Sequence, residues 1–317
     1  MSLILIDKPE GPTSHAVVAA MKRALSVTKV GHLGTLDPFA SGLLPIMVGN
    51  TARLADEAMD GKKGYQFVIG LGSQTDTLDP SGRVVCSAPL PTELNAQKVD
   101  SALNLFRGQI EQVPPAYSAL KVNGMPLYEY MRATGELPID IESKRRTITV
   151  HSLECLEHTD SRITLRVVCS KGTYVRSLAR DIALALGSCG TCVELRRELV
   201  EPWDVKNALK VFVGADGKVL PPDREQVLAY CQPPWSMTPH LTRFIIDKRH
   251  KEKFISGNHF TLSSAEFENF VAGRTAMSEV VGEIQKAYVQ CEEVSFLCEL
   301  HSLPDQLFRL QPRKRIS

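Results

Sequence analysis

Short strand-like runs and amphipathic helical stretches follow one another irregularly through the first two thirds of this chain, and that irregularity limits the folds open to it. Leu3 to Ile6 reads as a strand, and the turn Lys8-Pro9-Glu10-Gly11-Pro12 leads to a helix with an apolar stripe at Val17, Val18, Met21 and Leu25. Thr13 or Ser14 can cap that helix. Leu43 to Val48 reads as a strand and Thr51 to Met59 as a short helix. Tyr65, Phe67, Ile69 and Leu71 alternate with Gly64, Gln66, Val68 and Gly70, the period of a half-buried strand. Thr147 to Cys155 and Ile163 to Cys169 read as paired strands, and Thr173 to Leu186 as a helix with Val175, Leu178, Ala179, Ile182 and Leu186 on one face. A doubly wound parallel sheet needs a regular β–α–β rhythm, which is absent, so the pattern predicts an α+β fold.

The length of 317 residues suits two domains. Prolines at 221, 222, 233, 234 and 239 mark a boundary region. Beyond it the capping box Ser263-Ser264-Ala265-Glu266 and the run Val294 to Leu300 predict a small mixed β unit. With 37 Lys+Arg against 36 Asp+Glu the formal charge is +1, which argues against a broadly polybasic nucleic-acid binder. It leaves room for a few cations arranged along one face. The N-terminal apolar run stops after four residues, too short for a secretory signal, and no run approaches the length of a membrane span. A cytoplasmic protein is expected. The 8 cysteines are sparse for a disulfide scaffold, and Cys189-Gly190-Thr191-Cys192 has no second pair at metal-ligand spacing, so it reads as structural.

Residues 31–42, Gly31-His32-Leu33-Gly34-Thr35-Leu36-Asp37-Pro38-Phe39-Ala40-Ser41-Gly42, carry the most chemistry. The glycines let the chain bend sharply and let a ligand approach the backbone. Taken alone, Asp37-Pro38 is a turn dipeptide. Thr-Leu-Asp-Pro recurs at 77–80, where the flanking strand and Ser81-Gly82-Arg83 predict a hairpin turn. The tetrapeptide therefore decides little, and its surroundings must decide.

Those surroundings resemble the catalytic loop of the TruB-type tRNA pseudouridine synthases. Four further segments match in the same order: Leu5-Ile6-Asp7-Lys8-Pro9; Leu71-Gly72-Ser73-Gln74-Thr75-Asp76-Thr77; Pro115-Ala116-Tyr117-Ser118-Ala119-Leu120-Lys121 with Leu127-Tyr128-Glu129-Tyr130; and Cys169-Ser170-Lys171-Gly172-Thr173-Tyr174-Val175-Arg176. Leu195-Arg196-Arg197 completes the set. The resemblance implies a mixed-sheet catalytic domain over residues 1–235 and a small PUA-like β domain over 240–317. It further implies isomerisation of the T-loop uridine of tRNA to pseudouridine after base flipping, with no cofactor, no metal, no obligatory protein partner and a monomeric enzyme.

Residue by residue, the resemblance makes Asp37 the nucleophile, attacking the uracil ring or the ribose anomeric carbon. Tyr65 packs on the target base, Arg176 pairs with the nucleophile, Tyr174 is a second pocket tyrosine, Leu195 an apolar wall and His32 a contact to the departing nucleotide. Read singly, Tyr65 would be a core aromatic, and Arg176 with Arg180 and Asp181 a solvated ion-pair face. The ordered set of motifs reverses those readings. Candidate phosphate contacts are Lys22-Arg23, Lys62-Lys63, Lys144-Arg145-Arg146, Arg196-Arg197 and Arg313-Lys314-Arg315. The chain departs from the bacterial pattern in two places. Leu3 follows Met1 and Ser2 directly where many members carry a basic leader, and Phe296-Leu297-Cys298 stands where a glycine is common. Both bear on peripheral tRNA contacts and leave the chemistry alone.

Overall fold

The computed structural model describes residues 2–272 and 284–316. Among them, an eleven-stranded mixed sheet forms the body of the molecule. Its main path runs Leu209–Lys210, Ser2–Lys8, Ser41–Val48, Gly190–Val200, Lys63–Leu71, Arg162–Cys169, Arg146–His158 and Gly108–Gln112. Ser41–Val48 pairs antiparallel with Ser2–Lys8 and parallel with Gly190–Val200, so the expected α+β mixed sheet is present.

The alternating Lys63–Leu71 strand lies between Gly190–Val200 and Arg162–Cys169, with Tyr65 opposite Arg197 on one side and Val167 on the other. The Ser14–Leu25 helix buries Val17, Val18, Met21 and Leu25, and Thr13 is its cap, its hydroxyl accepting from Ala16 N–H at 3.1 Å. The Val175–Ala185 helix buries Leu178, Ala179 and Ile182 in the same core. Each of the valine, leucine, isoleucine and methionine side chains among them contributes about 1.5–3 kcal/mol on burial. The helix comes close to the sheet at Gly190, where a Cβ would sit 2.5 Å from the Ala183 methyl.

The helix expected over Thr51–Met59 is instead a 3₁₀ turn, Gly49–Leu54, followed by a single α turn, Ala55–Ala58. Thr51 spends its hydroxyl on the Val48 and Ser2 carbonyls, which tightens the chain against the strand it has just left. Elements without a clear period in the sequence also appear, including the hairpin Ser73–Thr75/Val84–Ser87 and the helices Ala96–Asn104 and Leu127–Thr134.

The last strand of the main sheet is Cys231–Gln232, and a separate five-stranded sheet begins at Thr242–Ile245. Its core is aromatic, with Phe244, Phe254, Phe260, Phe267, Phe296 and Phe308 buried together. The predicted capping box closes there, with Ser263 and Glu266 each bonding the other's backbone N–H. A third apolar cluster joins the two sheets, with Leu3, Leu5, Leu43 and Met47 of the first packed with Tyr288, Leu297 and Ile316 of the second.

Candidate active site

Residues 31–42 have little regular structure, and side chains from elsewhere fix their course. Lys8 is wholly buried and its ammonium donates to the carbonyls of Pro9 (2.8 Å), Pro12 (2.7 Å) and Pro38 (3.3 Å). The Ser14 hydroxyl donates to the Leu36 carbonyl at 3.0 Å and accepts from the Leu36 N–H at 2.9 Å. Arg197, also buried, donates to the carbonyls of Leu43 (2.8 Å) and Gly34 (2.9 Å) and reaches the Tyr65 hydroxyl. Gly42 lies against Arg197 backbone at φ +104°, a position that only glycine fills without strain. These ties make an irregular segment rigid, and Asp37 projects from it.

Asp37 meets Arg176 through a 2.8 Å ion pair between Oδ2 and Nε. The guanidinium is shared more widely. Nη1 donates to the Thr77 carbonyl at 2.7 Å and faces Asp79 Oδ2 at 3.4 Å, while Nη2 donates to the Tyr117 carbonyl at 2.9 Å. Asp79 is itself held, its other oxygen accepting from Thr77 Oγ1 at 2.8 Å and from Ser81 N–H at 3.0 Å. The helix bearing Arg176 is fixed at its start by Gln112, which bonds both Tyr174 N–H (2.7 Å) and Tyr174 C=O (3.0 Å). One buried arginine thus ties together the catalytic-type loop, the 77–81 turn and the segment at Tyr117.

The electrostatics follow from this packing. Burial pushes the Asp37 carboxyl above its ordinary range and nearby Asp79 adds to the rise, while Arg176 and Lys8 pull the other way. Burial lowers Lys8 to about 8, opposed by Asp37 and Glu10. Burial raises the Tyr65 hydroxyl, which keeps that ring neutral.

Asp37, Tyr65, Tyr174, Arg176 and Leu195, far apart in sequence, line one cavity of about 150 Å³ together with Thr35, Leu36 and Ala119. Asp37 keeps 34% of its side chain exposed there, whereas Arg176 keeps only 7%. The site can therefore present a carboxylate, oriented by Arg176, to a flat ring held between aromatic and aliphatic walls. His32 lies outside this lining, edge-on to His15 with ring centroids 5.4 Å apart. Burial, His15 and Arg197 all lower its pKa, so it stays neutral at physiological pH.

Several residues of the site were not expected from the sequence in these roles. The second Thr-Leu-Asp-Pro does form the predicted hairpin turn, but it also turns Asp79 inward onto Arg176. The repeated tetrapeptide was the one available signal. Arg197 was expected on phosphate and is instead an internal brace, because its neighbours in the sheet leave it no path to solvent. Arg196 is drawn to Asp7 through two bonds of 2.8 and 3.0 Å. Cys189 and Cys192 are both buried, with their thiols raised by burial.

Residues 22–175 match the family described as TruB family pseudouridylate synthase, N terminal domain. The chain is 44% identical over 207 residues to a protein of Aromatoleum aromaticum named tRNA pseudouridine synthase B, covering 65% of each. A protein of the same name from Syntrophotalea carbinolica is 39% identical over 226 residues, covering 71% of this chain and 72% of that one. A third, from a Synechococcus species, is 48% identical over 201 residues, or 65% of its length. Matches of this kind thus span about two thirds of the relatives' lengths. Among solved structures, an H/ACA RNP bound to a substrate RNA containing 2'-deoxyuridine aligns with a TM-score of 0.66 and 22% identity, covering all of this chain (100%) and 85% of its counterpart. A Cbf5-Nop10-Gar1 complex aligns with the same TM-score, 0.66, at 24% identity and the same coverage, 100% and 85%. The chain shares the fold of those proteins across both sheets.

Proposed function

Because the chain belongs to the TruB family of pseudouridylate synthases, we propose that it converts the T-loop uridine of tRNA to pseudouridine, with Asp37 as the nucleophile. The observation that carries this reading is the Asp37–Arg176 pair at 2.8 Å on the wall of a cavity lined by Tyr65, Tyr174 and Leu195. The reaction breaks the bond between N1 of uracil and C1' of ribose and joins C1' to C5. A proton leaves C5 and N1 gains one, so atoms and charge balance with no net oxidation or reduction. What the protein must supply is a carboxylate beside the sugar–base bond and walls that hold the freed ring while it turns. Attack on C1' and attack on the ring both fit a carboxylate so placed.

A uridine stacked in a folded loop must be turned out first, at a cost of a few kcal/mol. Stacking on an aromatic side chain returns about 1–3 kcal/mol, and the cavity offers two rings, Tyr65, fixed through its hydroxyl by Arg197, and Tyr174. Arg176 orients Asp37 and favours its ionised form against the larger, opposite effect of burial. Leu195 supplies an apolar wall, and His32, neutral and outside the cavity, would touch the loop from which the nucleotide leaves. Residues 1–235 would form the catalytic unit and 240–317 a PUA-like unit, in a monomeric cytoplasmic enzyme acting without a cofactor or protein partner. Among the described residues no helix is long and apolar enough to cross a membrane.

The test is an unmodified tRNA transcript incubated with purified protein and no other RNA. The wild type should form pseudouridine in the T loop, and Asp37→Asn should lower the rate by at least about 10³-fold. Product formed by Asp37→Asn at the wild-type rate would remove Asp37 from the chemistry. Binding without product by the wild type would make the chain an RNA-binding protein instead.

A further inference from the structure

The Lys144-Arg145-Arg146 run ends in three different surroundings. Lys144 is exposed. Arg145 is compensated, bonded to Glu142 and 3.8 Å from Glu111. Arg146 meets no carboxylate among the described residues. Its guanidinium carbon lies 4.6 Å from the centroid of the Tyr174 ring, and Nη2 donates to the Gly172 carbonyl. Nε is buried and has no partner. Gly172, at φ +83°, turns its carbonyl to the guanidinium in a backbone conformation that favours glycine.

Other cations near the cavity are already engaged. Arg176 serves Asp37, Asp79 and two carbonyls, Arg196 serves Asp7, Arg197 serves the loop carbonyls, and Lys171 bonds Asp60. Arg197 too lacks a carboxylate partner, but its donors are taken by carbonyls and Tyr65; Arg146 alone of this group combines that lack with most of its N–H donors unspent. It is also held in place, by the Tyr174 ring under its guanidinium and by the bond to the Gly172 carbonyl. A planar cation held in place with free paired donors suits a phosphate far better than a mobile lysine does. Tyr174 and Thr173, the residues beside it, line the cavity.

We propose that Arg146 is the phosphate-binding residue of the cavity rim, taking a phosphodiester that flanks the everted uridine while Tyr174 faces its base. This rests on the functional reading above. The base enters the cavity and its own phosphates must stay outside, one sugar away, where the Arg146–Tyr174 stack lies. A single stacked pair then fixes base and backbone together, and an RNA with its target base still stacked gains only part of the contact.

The experiment pairs a protein change with a change in one phosphate. T-stem-loop RNA is made unmodified and with a neutral methylphosphonate at the phosphate 5' or 3' of the target uridine. Wild type, R146Q and R146K are assayed on each, with folding followed by thermal melting. On unmodified RNA, R146Q should lower kcat/KM by about 10–100-fold, chiefly through KM, since a charge-assisted hydrogen bond is worth about 1.5–3 kcal/mol. It should also flatten the salt dependence of binding by about one ion. One of the two methylphosphonates should cost the wild type a similar factor and cost R146Q almost nothing, and R146K should recover part of the affinity. If R146Q does not fold, the methylphosphonate penalty should still shrink in R146K. Penalties that multiply independently at both phosphates, or R146Q behaving as wild type, would overturn the proposal. Failure of the wild type to modify unmodified RNA would instead strike the functional reading.

Discussion

At the scale of single residues, the site is a balance between burial and charge. As the proposed nucleophile Asp37 would have to be ionised, yet burial and Asp79 hold its pKa above the ordinary 3.8, and Arg176 is the largest opposing influence. The native state therefore keeps this proton to higher pH than the unfolded chain. Ionising Asp37 costs stability as pH rises through the window between the unfolded and folded pKa values, and below that window the cost vanishes. Activity runs the other way and needs the ionised form. The single-turnover rate should fall on acidification at a pH above the usual aspartate range. Arg176→Gln should move that acid limb to still higher pH while lowering the plateau, as rate–pH profiles of the two proteins can show. An unmoved limb would mean that Arg176 only orients the carboxylate. The sequence made Asp37 and Arg176 legible through their motifs. It did not make Asp79 legible as their third member, because a turn-forming aspartate and one that reaches an arginine 97 positions away look the same locally.

At the scale of elements, the 31–42 segment is rigid because strands and a helix on either side tie it down. Ser14, Lys8 and Arg197 reach it from the first helix, the first strand and the Gly190–Val200 strand. Gly42 is where this arrangement tolerates least. A Cβ there would lie 2.2 Å from the Arg197 carbonyl oxygen, with φ at +104°. Backbone rather than a flexible side chain is in the way, so the strands must part. Gly42→Ala should cost about 3 kcal/mol or more and lower activity, because the loop bearing Asp37 hangs from this crossing. Denaturant unfolding checks the first and single-turnover rates the second, and a loss under about 0.5 kcal/mol would show that the crossing yields easily. The strands and the helix that surround this loop were legible from 2.0- and 3.6-residue patterns respectively. The path of the loop was not, since its ties come from side chains distant in sequence.

At the scale of the whole molecule, the apolar cluster shared by the two sheets couples them. Ile316, wholly buried, packs there with Leu297 and Tyr288 against Leu3 and Leu43, and its N–H donates to the Ser295 carbonyl at 2.7 Å. Ile316→Ala should destabilise the protein by about 2–5 kcal/mol, measured as a shift in the denaturant midpoint. None of the cavity-lining residues belongs to that cluster, so kcat of the folded variant should be unchanged. A large fall in kcat would show that the second sheet bears on the cavity. The balance of 37 cations against 36 anions fits this picture. The proposed recognition of one loop through a shaped cavity and a few placed cations would need no large positive field.

By itself the sequence determined the alternating strand, the capped helices, a small β unit after the proline-rich stretch and the family to which the chain belongs. It also named six candidate site residues, five of which the fold brings to one cavity. All of these rest on local period or on ordered motifs, which chain position alone expresses. Tertiary structure decided what each charge does. Arg145, Arg146, Arg176, Arg196 and Arg197 are the same side chain, yet one is compensated at the surface, one lies on a tyrosine, one holds two aspartates, one pairs with Asp7 and one is a buried brace. The cost of desolvating a guanidinium and the partners that offset it are set by what surrounds it in space, and no window of sequence contains that information.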